Sequence, residues 1–325
     1  MTGENMALTV RGLTIHFQDE RRPTPVVDQL AMDLPAGEVT GLAGESGSGK
    51  TLTALALLGL TDPRVFRSNL GQLELDGKPV SVAEQVRHRG RGIAMVFQDP
   101  ATALDPVFSV GSQLARSIRR NDQVSRAEAR NRALEALAAV GFDAPADLMR
   151  RYPHELSGGM RQLCVLAMAQ ALRPTVLLAD EPPTALDAVS QYHVLEQLQA
   201  LASDHGTAVL LISHDLRLLA HYARRVYVMY HGHMVEKTTG KRLVANPCHP
   251  YTRGLVEALP RLSPTAKGPA QGIPGDPPTV GQPVSGCVFA ARCSWATGRC
   301  QNEAPESHTT DHGAVACHHP LGAKS

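Results

Sequence analysis

The stretch that most constrains this chain is Gly44-Glu45-Ser46-Gly47-Ser48-Gly49-Lys50-Thr51, which reads G-x-x-x-x-G-K-T between a strand-like run (Val39 to Ala43) and a helical one (Leu52 to Leu60). Gly44, Gly47 and Gly49 let backbone N–H groups turn inward around an anion, with Ser46 inside the turn, and the helix that follows presents its positive end. Lys50 can reach the β and γ oxygens of a nucleotide, and the Thr51 hydroxyl can hold Mg²⁺. A turn that merely joined strand to helix would not need Lys-Thr at its end. The sequence therefore predicts a strand, loop and helix built to hold a nucleoside triphosphate.

At 325 residues with 43% hydrophobic side chains, the chain can bury a core and form two or three domains. Lys plus Arg number 32 against 31 Asp plus Glu, so no strong field draws it to nucleic acid or acidic lipid. Membrane attachment is therefore expected to go through protein. Glu4 and Asn5 stand where a signal peptide would be basic and then apolar, and no apolar run approaches the ~18 residues of a spanning helix, so a cytosolic chain is expected. Six cysteines in a reducing compartment argue against disulfides. Four of them, Cys287, Cys293, Cys300 and Cys317, crowd near the end and point to metal or cluster binding, whereas Cys164 and Cys248 read as ordinary residues.

Residues 7 to 17 and Val26 to Leu34 alternate like two strands of an antiparallel hairpin around a charged turn. Phe17, closing the first, suits either a purine ring or the core. Asp76-Gly77 predicts a second hairpin turn, and Gly92 to Phe97 a buried strand that proline halts after Gln98-Asp99. Ser125-x-x-Glu128 opens a helix with Leu134, Leu137 and Ala138 on one face, closed by Gly141. At Ser157-Gly158-Gly159 a loop again exposes N–H groups at a helix start, a second anion-binding device. Val176 to Ala179 then feed Asp180 and Glu181, acids at the C-terminal edge of a buried parallel strand. There Asp180 can hold Mg²⁺ and Glu181 can polarise an attacking water. A further strand, Thr207 to Ile212, delivers Ser213-His214-Asp215.

Taken in order, the phosphate loop, Gln98, Leu156-Ser157-Gly158-Gly159, Asp180-Glu181, Ala185-Leu186-Asp187 and His214 resemble the ATP-binding cassette (ABC) family. The resemblance implies an α/β P-loop NTPase fold: a RecA-like core with an antiparallel β edge, a helical subdomain and a small Cys-rich C-terminal domain. The expected division is 1–90 and 165–245 for the ATP-binding core, 91–164 for the helical subdomain, and 246–325 for a C-terminal strap and cysteine-ligated domain. It also implies roles. Phe17 stacks on adenine; Gln98 senses Mg²⁺ and the membrane subunits; Ser157, Gly158 and Gly159 form the signature loop; Asp187 marks the D-loop; His214 is the switch histidine. Two cassettes then face each other head to tail, each ATP lying between one phosphate loop and the other signature helix.

A narrower resemblance, to the ATPase subunits of oligopeptide, dipeptide and nickel importers, is carried by Gln98-Asp99-Pro100 with Leu104-Asp105-Pro106, by Tyr152 to Gln162, and by Asn246-Pro247-Cys248-His249-Pro250-Tyr251-Thr252. Leu163, Pro183 and Ala103 depart from the usual residues, and none of them is a phosphate or Mg²⁺ ligand. The implied partners are a second, related cassette in a heterodimer, two membrane permeases, and indirectly an extracytoplasmic substrate-binding protein, with no nucleic acid. The implied place is the cytoplasmic face of the membrane, peripherally bound. Peptides are the first cargo expected, with nickel or a metal chelator as the alternative; a soluble cassette acting on nucleic acid is disfavoured by the charge balance. Residues 260 to 286, with seven prolines and five glycines, read as an extended strap. Beyond it the spacing C-x5-C-x6-C-x16-C lacks the tight knuckles of zinc sites and is similar to the importer tails, which implies a 4Fe-4S cluster, with zinc or unligated thiols as alternatives.

Overall fold

The computed structural model describes residues 5–19, 21, 24–99, 103–182, 188–259, 272–281, 283–310 and 313–322. Pro183, Ala185, Leu186 and Asp187 lie outside the described residues, as does the first part of the strap, 260–271. The strands in chain order are β1 (Met6–Phe17), β2 (Val27–Pro35), β3 (Val39–Ala43), β4 (Phe66–Asn69), β5 (Gln72–Leu75), β6 (Lys78–Pro79), β7 (Ile93–Val96), β8 (Val176–Asp180), β9 (Ala208–Ser213), β10 (Arg225–Tyr230), β11 (His233–Thr239), β12 (Ser307–Thr310) and β13 (Gly313–Ala316). The helices that matter below are α1 (Lys50–Leu57), α2 (Val110–Asp122), α3 (Arg126–Ala139), α4 (Gly158–Ala171), α5 (Ala188–His205), α6 (Leu216–Tyr222) and α7 (Pro250–Glu257). Among the described residues no helix is long and apolar enough to cross a membrane.

The chain divides into two compact units, the first comprising residues 1–8, 33–39 and 74–211, the second 9–32, 40–73 and 212–325. In the first, β7 and β8 run parallel, with Ile93 opposite Val176 and Val96 opposite Ala179. All five residues of β8 are buried, as expected of a parallel strand covered on both faces. β5 and β6 form the hairpin expected at Asp76-Gly77; both turn residues take positive φ (49° and 69°), the geometry that matches strand twist in a two-residue connection.

The helices of this unit are fixed by their caps. Ser109, Ser125 and Ser157 each accept a backbone N–H two or three residues into α2, α3 and α4 respectively. The expected face of α3 is corrected. Ala129, Ala133, Ala136 and Leu137 are buried, whereas Ala138 is exposed and Leu134 is half-buried. Small alanines let α3 pack closely, so the inward stripe is Ala129, Ala133 and Ala136 with Leu137, the one residue of the expected face that is buried. Helix α2 had no sequence signal comparable to the Ser125 capping box, yet Val110, Leu114 and Ile118 are buried along one of its faces.

In the second unit β10 lies between β3, parallel to it, and β11, antiparallel, with a register shift between Val228 and Met229. β11 in turn pairs with β13, and β13 with β12, both antiparallel. The last two strands of the tail thus continue the sheet of this unit. Val315 supplies the reason, since it is 1% exposed and sits opposite Glu236 on β11. β1 pairs with β2 on one edge and with β4 through Thr14 to Phe17 on the other; β4 went unread because Phe66–Asn69 is short and polar.

Candidate nucleotide-binding site

The second unit carries the phosphate loop between β3, buried at all five positions, and α1. Gly44 is required by close approach, since a Cβ there would run into the Met229 carbonyl and Ser48 Oγ. Gly49, at φ 104°, is the N-cap of α1 in a conformation side chains rarely adopt. Lys50 is buried, and its Nζ donates to the carbonyls of Gly44 and Glu45, each at 2.8 Å, and to Ser48 Oγ at 3.4 Å. Its charge is thus folded over the loop, aimed where phosphate oxygens would sit. Ser46, Gly47 and Thr51 are exposed, so the rim of the loop and the hydroxyl expected to hold Mg²⁺ are accessible.

Phe17 ends β1 half-buried and stacks on Phe66 of β4, with centroids 5.3 Å apart and rings 28° from parallel. One ring face is therefore occupied by protein. His214 follows β9 and is exposed, and Asp215 beside it caps α6 by accepting from Arg217 and Leu218 N–H.

The first unit carries the acidic partners. Asp180 ends β8 and is 2% exposed; Glu181 follows with φ 46°, a backbone strain typical of functional positions. Gln98, just beyond β7, donates from Nε2 to Glu181 Oε2 at 3.0 Å. Residues 83 positions apart in sequence are brought together because β7 and β8 are parallel neighbours ending at the same edge. Ser157 caps α4 through its Oγ and the Met160 N–H (3.3 Å); its neighbour Gly158 is exposed, with open space where a Cβ would stand. Gly159 is the second residue of α4. Asp187, expected to mark the D-loop, lies outside the described residues.

The second unit also shows what sequence reading missed. Glu45 donates its N–H to the Tyr251 hydroxyl at 2.8 Å, and its carboxylate meets Arg292 in a two-pronged ion pair at 2.7 and 3.1 Å. The Arg292 side chain is only 5% exposed, and it also donates to the carbonyls of Ile273 and Pro274 in the strap. Tyr251, Tyr230 and Phe289 pack as three tilted or edge-on rings with centroids 4.6 to 5.4 Å apart. Burial raises the Tyr251 phenol, which stays a neutral hydroxyl. Glu236, 2% exposed, accepts the N–H groups of Cys248 (3.0 Å) and His249 (2.8 Å) and so pins the turn that leads into α7. Burial pushes His249 down to about 4, and its neutral Nδ1 accepts from Tyr251 N–H. The only sequence hint of this was the quoted run Asn246 to Thr252; nothing marked Arg292 or Glu236.

Cys287, Cys293, Cys300 and Cys317 line one small pocket together with Trp295 and His249. Burial, and then the neighbouring cysteines, raise Cys317 to about 11, and burial raises Cys287 and Cys293 as well. As donors, four thiols suit zinc or an iron-sulfur cluster. As arranged, however, no group of three or more His, Cys, Asp or Glu among the described residues could hold a metal ion. Cys164, on the inward face of α4, is simply buried, which pushes its thiol up to about 12.

A glycine-rich loop with a buried lysine between a buried strand and a helix, and an acid pair at a parallel strand's edge, define a P-loop nucleotide-binding cassette. Solved structures agree on the fold. A dimeric ATP-binding cassette in a post-hydrolysis state with ADP and Pi superposes with a TM-score of 0.62 at 22% identity, over 71% of this chain and 98% of that one. A subunit of a Clostridium perfringens ABC transporter complex does so at 0.62 and 24%, over 75% and 92%. The chain belongs to the ABC transporter family, which matches residues 27–184, and residues 235–300 match the C-terminal region of oligopeptide/dipeptide transporters. It is 40% identical over 317 residues to a probable peptide ABC transporter ATP-binding protein of Sinorhizobium fredii (96% of this chain, 95% of the relative). It is 39% identical to a dipeptide transport ATP-binding protein of Escherichia coli (97% of each).

Proposed function

We propose that this chain is the ATP-hydrolysing subunit of an ABC importer that energises uptake of peptides across the cytoplasmic membrane. The observation that carries this reading is similarity along nearly the whole chain to peptide and dipeptide transport subunits, including the C-terminal region at 235–300. Nickel or metal-chelator uptake is the alternative cargo left by the sequence.

In this reading Lys50 and the loop N–H groups of Gly44 to Thr51 bind the β- and γ-phosphates, and Phe17 stacks on the base. Thr51, Gln98 and Asp180 hold Mg²⁺. Glu181 takes the proton of the attacking water, held by the Gln98 amide in a pose that a moving Gln98 would alter. His214 contacts the γ-phosphate side, while Ser157, Gly158, Gly159 and Asp187 serve the nucleotide held by a partner cassette. The working unit is a heterodimer of related cassettes on two permeases, peripheral to the membrane's cytoplasmic face, with an extracytoplasmic binding protein choosing the cargo. Residues 1–90 and 165–245 act as the ATP-binding core, 91–164 as the helical subdomain, and 246–325 as the strap and cysteine-ligated part.

Cys287, Cys293, Cys300 and Cys317 are read as ligands of a 4Fe-4S cluster, zinc being the alternative; their shared pocket supports this, and loading requires the thiols to turn toward one centre. When bound, such a centre cross-links the short tail.

The test is reconstitution of the cassette pair with its permeases and binding protein in vesicles. Dipeptides are expected to stimulate ATP hydrolysis and to accumulate. Stimulation by nickel chelates alone would replace the peptide assignment.

A further inference from the structure

The strap and tail meet the nucleotide loop at Glu45. Its N–H is taken by Tyr251, its carbonyl by Lys50 and its carboxylate by Arg292, so every polar group it owns is held. Glu45 stands between Gly44 at φ 153° and the exposed Gly47 at φ 80°, in a loop whose glycines would otherwise leave its path loose. A carboxylate beside a site for a polyanion is also electrostatically adverse, and the Arg292 guanidinium cancels that charge through two parallel N–H···O bonds. Arg292 is itself anchored by the Ile273 and Pro274 carbonyls and lies over the Tyr230 ring at 5.8 Å.

We propose that Arg292 is a positioning residue for the phosphate loop, neutralising and fixing Glu45 so that the C-terminal strap and tail set the affinity for nucleotide. This rests on reading Gly44 to Thr51 as the nucleotide's phosphate loop. The sequence run that ends in Tyr251 thereby acquires a role: it supplies the second hold on the same residue.

The experiment measures KM and kcat for ATP in the full cassette pair carrying Arg292→Met, Arg292→Lys, Glu45→Gln and the Arg292→Met/Glu45→Gln double, with Lys50→Ala as the control for the loop itself. Arg292→Met is expected to raise KM about tenfold, equivalent to about 1.4 kcal/mol, with kcat within about twofold. Arg292→Lys, which keeps the charge but loses the two-pronged geometry, is expected to raise it about threefold. The double variant is expected to return KM to within about threefold of the parent, because the uncompensated carboxylate is gone. A merely structural arginine would give a double as poor as or poorer than Arg292→Met. That result, or parental KM values in both Arg292 variants, overturns the proposal. Arg292→Lys carries the decision alone if Arg292→Met does not fold. Parental ATP binding by Lys50→Ala would instead remove the underlying reading of the loop.

Discussion

Replacing Glu236 by glutamine tests the packing that links the end of the sheet to the nucleotide loop. Glu236 is 2% exposed on β11, and its two oxygens separately receive the N–H groups of Cys248 and His249. A glutamine of the same shape keeps one acceptor and turns an NH₂ toward the other N–H, so one charge-assisted bond is lost and two donors face each other. Hydrogen bonds to charged groups contribute about 1.5–3 kcal/mol each, which puts the cost at about 2–4 kcal/mol. A chain of 325 residues unfolding as one unit has an entropy near 0.7 kcal/mol per degree, so Tm should fall by about 3–6 °C, and by more if only one unit melts in that transition. Differential scanning calorimetry of the purified chain gives the shift directly. Because the same turn positions Tyr251 under Glu45, the KM for ATP should rise as well. A variant with Tm within about 1 °C of the parent would refute the assignment of Glu236 as the anchor of residues 248–251.

Phe17→Ala should weaken ATP binding about tenfold in a fluorescent-nucleotide titration, since base–aromatic stacking contributes about 1–3 kcal/mol, while Phe17→Tyr should bind as the parent does. Ser157→Ala removes the cap of α4; a loss of about 1 kcal/mol and a Tm lower by about 1–2 °C are expected in the same calorimetric scan. Anaerobic purification should yield iron and sulfide in equal amounts, and Cys300→Ser should lose both; stoichiometric zinc without sulfide would exclude the cluster.

Much of this architecture was legible because its signals are local. The run from Gly44 to Thr51 specifies its own turn, and the continuous apolar run before Asp180 could only be a strand covered on both faces, as β8 is. Ser125 announces α3 by capping chemistry that depends on residues three apart, and the glycines at 158–159 mark the start of α4. What escaped depends on partners far away in sequence. The Gln98–Glu181 bond spans 83 positions and the Arg292–Glu45 pair 247, and neither residue type is unusual where it stands. β12 is polar and β13 is three small residues and a valine, both only four residues long, so pairing makes them strands: β13 against β11, and β12 against β13. The face of α3 was misjudged because alanine, weakly weighted as a hydrophobe, makes its close contacts.

The most direct measurement is of ATP turnover and bound nucleotide in the reconstituted complex carrying Glu181→Gln, with the equivalent acid of the partner cassette also replaced. General-base assistance contributes about 10² to 10⁴ in rate, so turnover should fall by at least about a hundredfold while ATP stays bound and the two cassettes remain closed on each other by analytical ultracentrifugation. Full turnover in that complex, or loss of ATP together with activity, would contradict the account.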